Sequence, residues 1–175
     1  MDAIKKILSS ALKPKQKQGA LENGISRGTL RVEDLVEKYE KAKISDRGLI
    51  MEVLELVSSK EPSKVFLHLD FVIAQIAVEA PRIKWESSRI IANMAKNYPV
   101  ECRPAIQPLL QNTKHDGTVV RWSAAKALCE IAKYTNNEST NLFEKIVDLE
   151  RKEQNKGVKA IYTKAIKQIR ERIGG

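Results

Sequence analysis

The sequence predicts an all-α protein built as an array of helix pairs behind a short N-terminal helix. Three observations carry this. The 175 residues include only 5% aromatic residues beside 42% hydrophobic and 30% charged ones; with abundant Ala, Ile, Leu, Lys and Glu, that composition favours helices over strand sandwiches. Apolar residues recur at i, i+3, i+4 and i+7, the stripe of an amphipathic helix. The stripes themselves return at a nearly constant interval, as stacked repeats do.

The elements follow in order. Met1 to Leu12 forms a short amphipathic helix with Ile4, Ile7, Leu8 and Leu12 on one side. Residues 13–28 read as a polar connection, so residues 1–28 form an N-terminal helix plus a basic linker. Lys5, Lys6, Lys13, Lys15 and Lys17 stand there against Asp2. The helix caps the first repeat, because an end repeat needs a protected edge; for the lysines beyond it, a basic arm touching an anionic partner stays open.

Residues 29–175 carry the repeat. IKWESSRIIANM from Ile83 aligns with VRWSAAKALCEI from Val120, 37 residues on, and with VKAIYTKAIKQI from Val158, a further 38 on. Stepping back 37 from Ile83 reaches DRGLIMEVLELV at Asp46. Four columns result: Val53, Ile90, Ala127, Ala165; Leu54, Ile91, Leu128, Ile166; Val57, Met94, Ile131, Ile169; and, more loosely, Ile50, Ser87, Ala124, Tyr162. Each interval has room for a first helix, at Leu30 to Lys43, Ser63 to Ala80, Glu101 to Thr113 and Ser139 to Lys152. Turn signals separate them, among them Glu61-Pro62-Ser63, Asp116-Gly117 and Thr135-Asn136-Asn137. The repeats span about 29–60, 61–97, 98–135 and 136–175. One helix pair cannot bury its own apolar face, so neighbours must stack.

Ile106 to Ala132 resembles a HEAT repeat, with Pro108 inside the first helix, Asp116 in the turn, and Val120, Arg121, Ala124 and Leu128 opening the second. The likeness is good for this copy, fair for the copy at Ile83, and weak for the first and last; armadillo repeats overlap with it in pattern. It implies a right-handed α-α superhelix, or solenoid, of about four helical pairs, with second helices lining the concave side. It implies little about activity.

Turning 100° per residue away from the apolar stripe finds the opposite face of each second helix. It holds Gly48, Glu52, Glu55 and Ser59 in the first copy; Trp85, Arg89, Ala92 and Lys96 in the second; Trp122, Lys126, Cys129 and Lys133 in the third; and Ala160, Lys164, Lys167 and Glu171 in the fourth. The groove is thus expected to be basic and aromatic in its middle and C-terminal parts and acidic at one end. Large aromatics on a solvated face mark binding sites. The candidate partner-binding residues are Trp85, Arg89, Lys96, Trp122, Lys126, Lys133, Lys164 and Lys167. A second reading stands beside this: the indoles wedge between repeats, with Arg89 or Lys126 over an indole as an internal cation–π contact. Glu86 and Glu130, the nearest second-helix acids, point away from the Trp sector. A further column, Arg47, Lys84, Arg121 and Lys159, matches the basic position of the HEAT pattern and reads as structural, with Asp116 as one partner.

Lys and Arg exceed Asp and Glu by 31 to 22, a net charge of +9. That excess suits nucleic acid, an acidic protein segment or an anionic surface. Cys102 and Cys129 form no CxxC motif and read as reduced thiols of a cytoplasmic protein. No apolar run approaches the ~20 residues of a membrane span, and a signal peptide is not expected. Phosphate-binding glycine motifs, HxH and HExxH are missing. His68 reads as packed and His115 as a turn residue. No metal, cofactor or catalytic residue is therefore expected.

The sequence points to a non-enzymatic interaction scaffold that binds an acidic protein or peptide in a basic, Trp-containing groove. The alternative is a nucleic-acid-binding HEAT-like protein related to the alkylpurine DNA glycosylases. That family uses a groove Asp, whereas Arg89 and Lys126 stand one turn after the two indoles, which argues against catalysis.

Overall fold

The computed structural model describes residues 2–136 and 141–174. Among them are eleven α-helices, one 3-10 helix and no strand. Asn137 and Ser139, where a turn and the start of a helix were expected, lie outside the described residues.

Helix α1 (Ala3–Ser9) starts where the Asp2 carboxylate accepts the Lys5 backbone N–H at 3.1 Å, and it buries Ile4 and Leu8. The stretch expected as a linker is instead helix α2 (Pro14–Ser26). Pro14 sits at its first position, where the missing N–H costs nothing, and the Gln16 side chain accepts the Lys13 N–H at 2.9 Å. Gln18, Leu21 and Ile25 form its buried face. Gly28, at φ +73°, turns the chain out of α2. Two bonds to the Gly24 carbonyl, from the N–H groups of Thr29 and Leu30, then hold the loop. The N-terminal segment thus adds a helix pair of its own rather than one helix and a linker.

Helices α3 (Val32–Lys41) and α4 (Ile44–Lys60) form the next pair. Helix α4 is buried on most of its circumference, Gly48 to Met51, Val53, Leu54 and Val57 included, because α2, α3, α5 and α7 all pack on it. The first helix expected over 63–80 is broken into α5 (Ser63–Phe66) and α6 (Leu69–Gln75), with His68 at φ −111° between them. Helix α7 (Pro81–Met94) again begins on a proline. Pro104 and Pro108 each remove a backbone donor, so the chain enters α8 (Ile106–Asn112) through a 3-10 turn over Arg103–Ala105. Helices α9 (Thr118–Tyr134), α10 (Leu142–Lys152) and α11 (Lys156–Gly174) complete the chain.

The long helices touch in succession, α2 on α4, α4 on α7, α7 on α9 and α9 on α11. Helices α1, α3, α6, α8 and α10 each pack on the long helix that follows them. Contacts climb together along neighbours: Glu52 meets Arg82, Glu55 meets Arg89 and Ser58 meets Asn93, so α4 and α7 run parallel. Cys129 with Ile161, then Lys133 with Arg172, show the same for α9 and α11. Every residue of the four predicted columns is buried, Ser87 and Ala165 included.

Three members of the basic column at the start of the second helices, Arg47, Lys84 and Arg121, bond within the fold as expected. Arg47 donates to the carbonyls of Tyr39, Glu40 and Ala42 at 2.8–3.1 Å, and Arg121 donates to those of His115 and Asp116 at 2.9 Å. Arg47 thus satisfies carbonyls left open where α3 ends, and Arg121 those of the turn after α8. Asp116 offers its carbonyl; the carboxylate that Arg121 meets is Glu153, at 3.2 Å. Polar bonds also cross between pairs. Tyr39 donates to Gln75 at 2.7 Å, and the buried Asn112 donates to the Ile76 carbonyl while accepting from Lys84, both at 3.0 Å.

Candidate functional site

The face shared by α4, α7, α9 and α11 brings Trp85 and Arg89 beside Trp122, with Lys126, Lys133 and Lys164 around Trp122; Lys96 follows the end of α7, and Lys167 lies on α11 beside Glu171. Trp85 and Trp122, one repeat apart, meet as a stacked pair with ring centroids 5.7 Å apart and planes 20° apart. Both are partly buried, and Trp122 packs against the core. The guanidinium of Arg89, one turn on from Trp85, lies over its ring at 5.6 Å. The indoles are thus neither sealed inside nor displayed singly; they form one layered unit between repeats.

The column expected to be basic is largely compensated. Arg89 pairs with Glu55 of α4 at 3.0 Å and approaches Glu86 of its own helix at 3.5 Å. Lys126 and Lys133 share the Glu130 carboxylate at 2.9 and 2.8 Å. Lys167 approaches Glu171 at 3.9 Å. Lys96 and Lys164 are exposed. The expectation that Glu86 and Glu130 point away from this sector is corrected: both bond the cations beside the indoles. Their spacing already carried the signal, since Lys126–Glu130 is i, i+4 and Glu130–Lys133 is i, i+3. The acidic end is also engaged, because Glu52 binds Arg82 at 2.8 Å and Glu55 binds Arg89.

The two ends therefore differ in sign. Toward α4, the carboxylates of Glu52, Glu55 and Glu86 face two guanidiniums, Arg82 and Arg89. Toward α11, Lys126, Lys133 and Lys164 gather around Glu130. Burial pushes the Glu86 carboxyl up to about 7; Arg89 opposes that, while Glu55 and Glu52 add to it. Burial would raise Glu130 as well, but the hydrogen bonds from Lys133 and Lys126 outweigh it and hold its pKa below the ordinary 4.5. Glu55 keeps its buried place with help from Asn93, whose amide donates to the Glu55 carboxylate and carbonyl at 3.2 Å.

Cys129, expected to look into the groove, is 1% exposed, with its thiol toward the Ile161 carbonyl; burial pushes its pKa up to about 12. Cys102 is buried likewise. A thiol so protonated is a poor nucleophile. His115 accepts the Gly117 N–H through Nδ1 at 2.9 Å, which fits the turn role read for it. His68 lies 3.8 Å from Glu33. Among the described residues no group of three or more His, Cys, Asp or Glu side chains is placed to hold a metal ion, and no helix is long and apolar enough to cross a membrane.

No protein-family model and no curated protein matches the chain. Its fold is similar to those of two engineered proteins whose crystal structures come from the Northeast Structural Genomics Consortium. The first has a TM-score of 0.73 at 17% sequence identity, over 97% of this chain and 81% of that one. The second has a TM-score of 0.72 at 17% identity, over 97% and 79%. At that identity the likeness concerns the fold alone.

Proposed function

We propose that the chain is a HEAT-like α-solenoid acting as a non-enzymatic scaffold, and that its second-helix groove takes an acidic protein or peptide segment. The observation that carries this reading is the Trp85–Trp122 pair, set beside Lys126, Lys133 and Lys164. Paired indoles offer a broad, rigid apolar platform, and interface energy concentrates on such residues. The lysines around them give an acidic segment its orientation and hasten encounter more than they add affinity. A continuous phosphate backbone fits less well, because it would run from the lysines onto Glu52, Glu55 and Glu86.

The two indoles are the only tryptophans in the sequence beside four tyrosines, so fluorescence excited beyond tyrosine absorption reports on this face alone. Titration with an acidic peptide rich in Glu and Phe is expected to shift the emission saturably, and a twelve-nucleotide oligo-dT is not. A saturable response to oligo-dT with a steep salt dependence, and none to the peptide, overturns the reading in favour of nucleic acid.

A further inference from the structure

The indole pair has two ends, and only one of them is open. Trp85 is engaged from both neighbours. Arg89 lies over its ring while reaching to Glu55 on α4, and Trp122 stacks on it from α9. Trp122 has Trp85 on one side only. On its α11 side lies a cleft of about 320 Å3 lined by Trp122, Cys129, Ile161 and Ala165. Lys126, Lys133, Lys164, Glu130 and Gln168 line the same cleft.

Each feature narrows the occupant. The volume sits at the bottom of the ~300–1,000 Å3 range of small-molecule pockets, which suits one side chain rather than a cofactor. Indole, thiol, branched aliphatic and methyl surfaces make the walls apolar. Three ammonium groups face one carboxylate, and that carboxylate is already bonded by two of them. The excess positive charge is local and small, matching two carboxylates rather than a polyanion. One open indole supports one ring, whereas single-strand binders stack successive bases on successive aromatics.

Resting on the scaffold reading above, we propose that this α9–α11 cleft is the anchoring subsite: it takes one aromatic or large aliphatic side chain of a peptide whose flanking Asp or Glu carboxylates meet Lys126, Lys133 and Lys164. Trp85 then acts as backing. With Arg89 it fixes the orientation of Trp122 and does not itself hold the ligand.

The test is a selection from a random twelve-residue peptide library displayed on phage against the folded full chain. The tightest peptide is then synthesised and its affinity measured for variants. The expected consensus is one Phe, Trp or Leu flanked by acids. Lys164→Glu reverses an exposed charge at the rim, and Gln168→Trp fills the cleft from an exposed position, so neither threatens the core. Each should weaken the peptide at least tenfold, while Lys43→Glu, at an exposed lysine ahead of α4 and away from the cleft, stays within twofold. Acidic peptides that bind Lys164→Glu and Gln168→Trp as tightly as the parent would overturn the cleft and leave the scaffold reading standing. A selection that enriches no acidic peptide overturns both, and retention of oligo-dT in its place assigns the face to nucleic acid.

Discussion

Glu86 gives the sharpest test of the electrostatics of this face. Its side chain is 7% exposed and its best cation, Arg89, is 3.5 Å away and held more closely by Glu55. The carboxyl titrates near 7 in the folded chain against an ordinary value of 4.5. A carboxyl whose folded pKa lies above its unfolded one binds its proton more tightly when folded. Its contribution is therefore fully present below about pH 4.5 and is lost as pH rises through about 7. At about 1.4 kcal/mol per pH unit, the full loss is about 3 kcal/mol.

Glu86→Gln keeps the shape and removes the titration. The measurement is urea unfolding followed by helical circular dichroism at pH 5.5 and pH 8 for both proteins. The variant should gain on the parent between those pH values by about 2 kcal/mol, since part of the loss precedes pH 5.5. Comparing the two proteins cancels every titration they share. Glu130 does not interfere, because its lowered pKa moves its contribution to the window below the ordinary carboxylate value. A difference that stays constant from pH 5.5 to 8 would refute the argument, and would mean that Arg89 or water solvates Glu86 as well as bulk solvent does.

Asn112→Ala removes one buried and one part-buried bond between repeats and leaves the Ile76 carbonyl only the longer bond from Lys84, at 3.4 Å, so urea unfolding should show a loss of about 1–3 kcal/mol. Gly28→Ala meets no atom within 4 Å but must hold φ at +73°, so the same assay should register about 1–2 kcal/mol from backbone strain alone. Neither thiol should react with a disulfide reagent at pH 8 in the native protein, because both are buried and pushed up to about 12. Rapid labelling of Cys129 without denaturant would contradict the packing of α9 on α11.

What the sequence disclosed and what it withheld divide along a physical line. The core columns were legible because burial on a helix depends on one periodicity, and sixteen positions chosen by spacing alone proved buried. Helix α2 was not, because Leu21 and Ile25 are its only buried apolar residues and two glycines sit among its lysines and glutamines. Its signals were subtler, a proline at the first position and a run of good helix formers. The sector rule placed Trp85, Arg89, Trp122 and Lys126 correctly on one face. It could not give their net charge, because a side chain's angle on its own helix says nothing about what the next helix brings to it. The partner of Arg89 is Glu55, one repeat back, and the partner of Trp122 is Trp85. A repeat array reads its rows from within one copy and its columns only across copies. A face whose four helices each look basic or acidic alone can therefore become nearly neutral where they meet, leaving an excess only beside the last of them. On the proposed reading, the open end of the indole pair, and not the run of lysines, therefore selects the ligand.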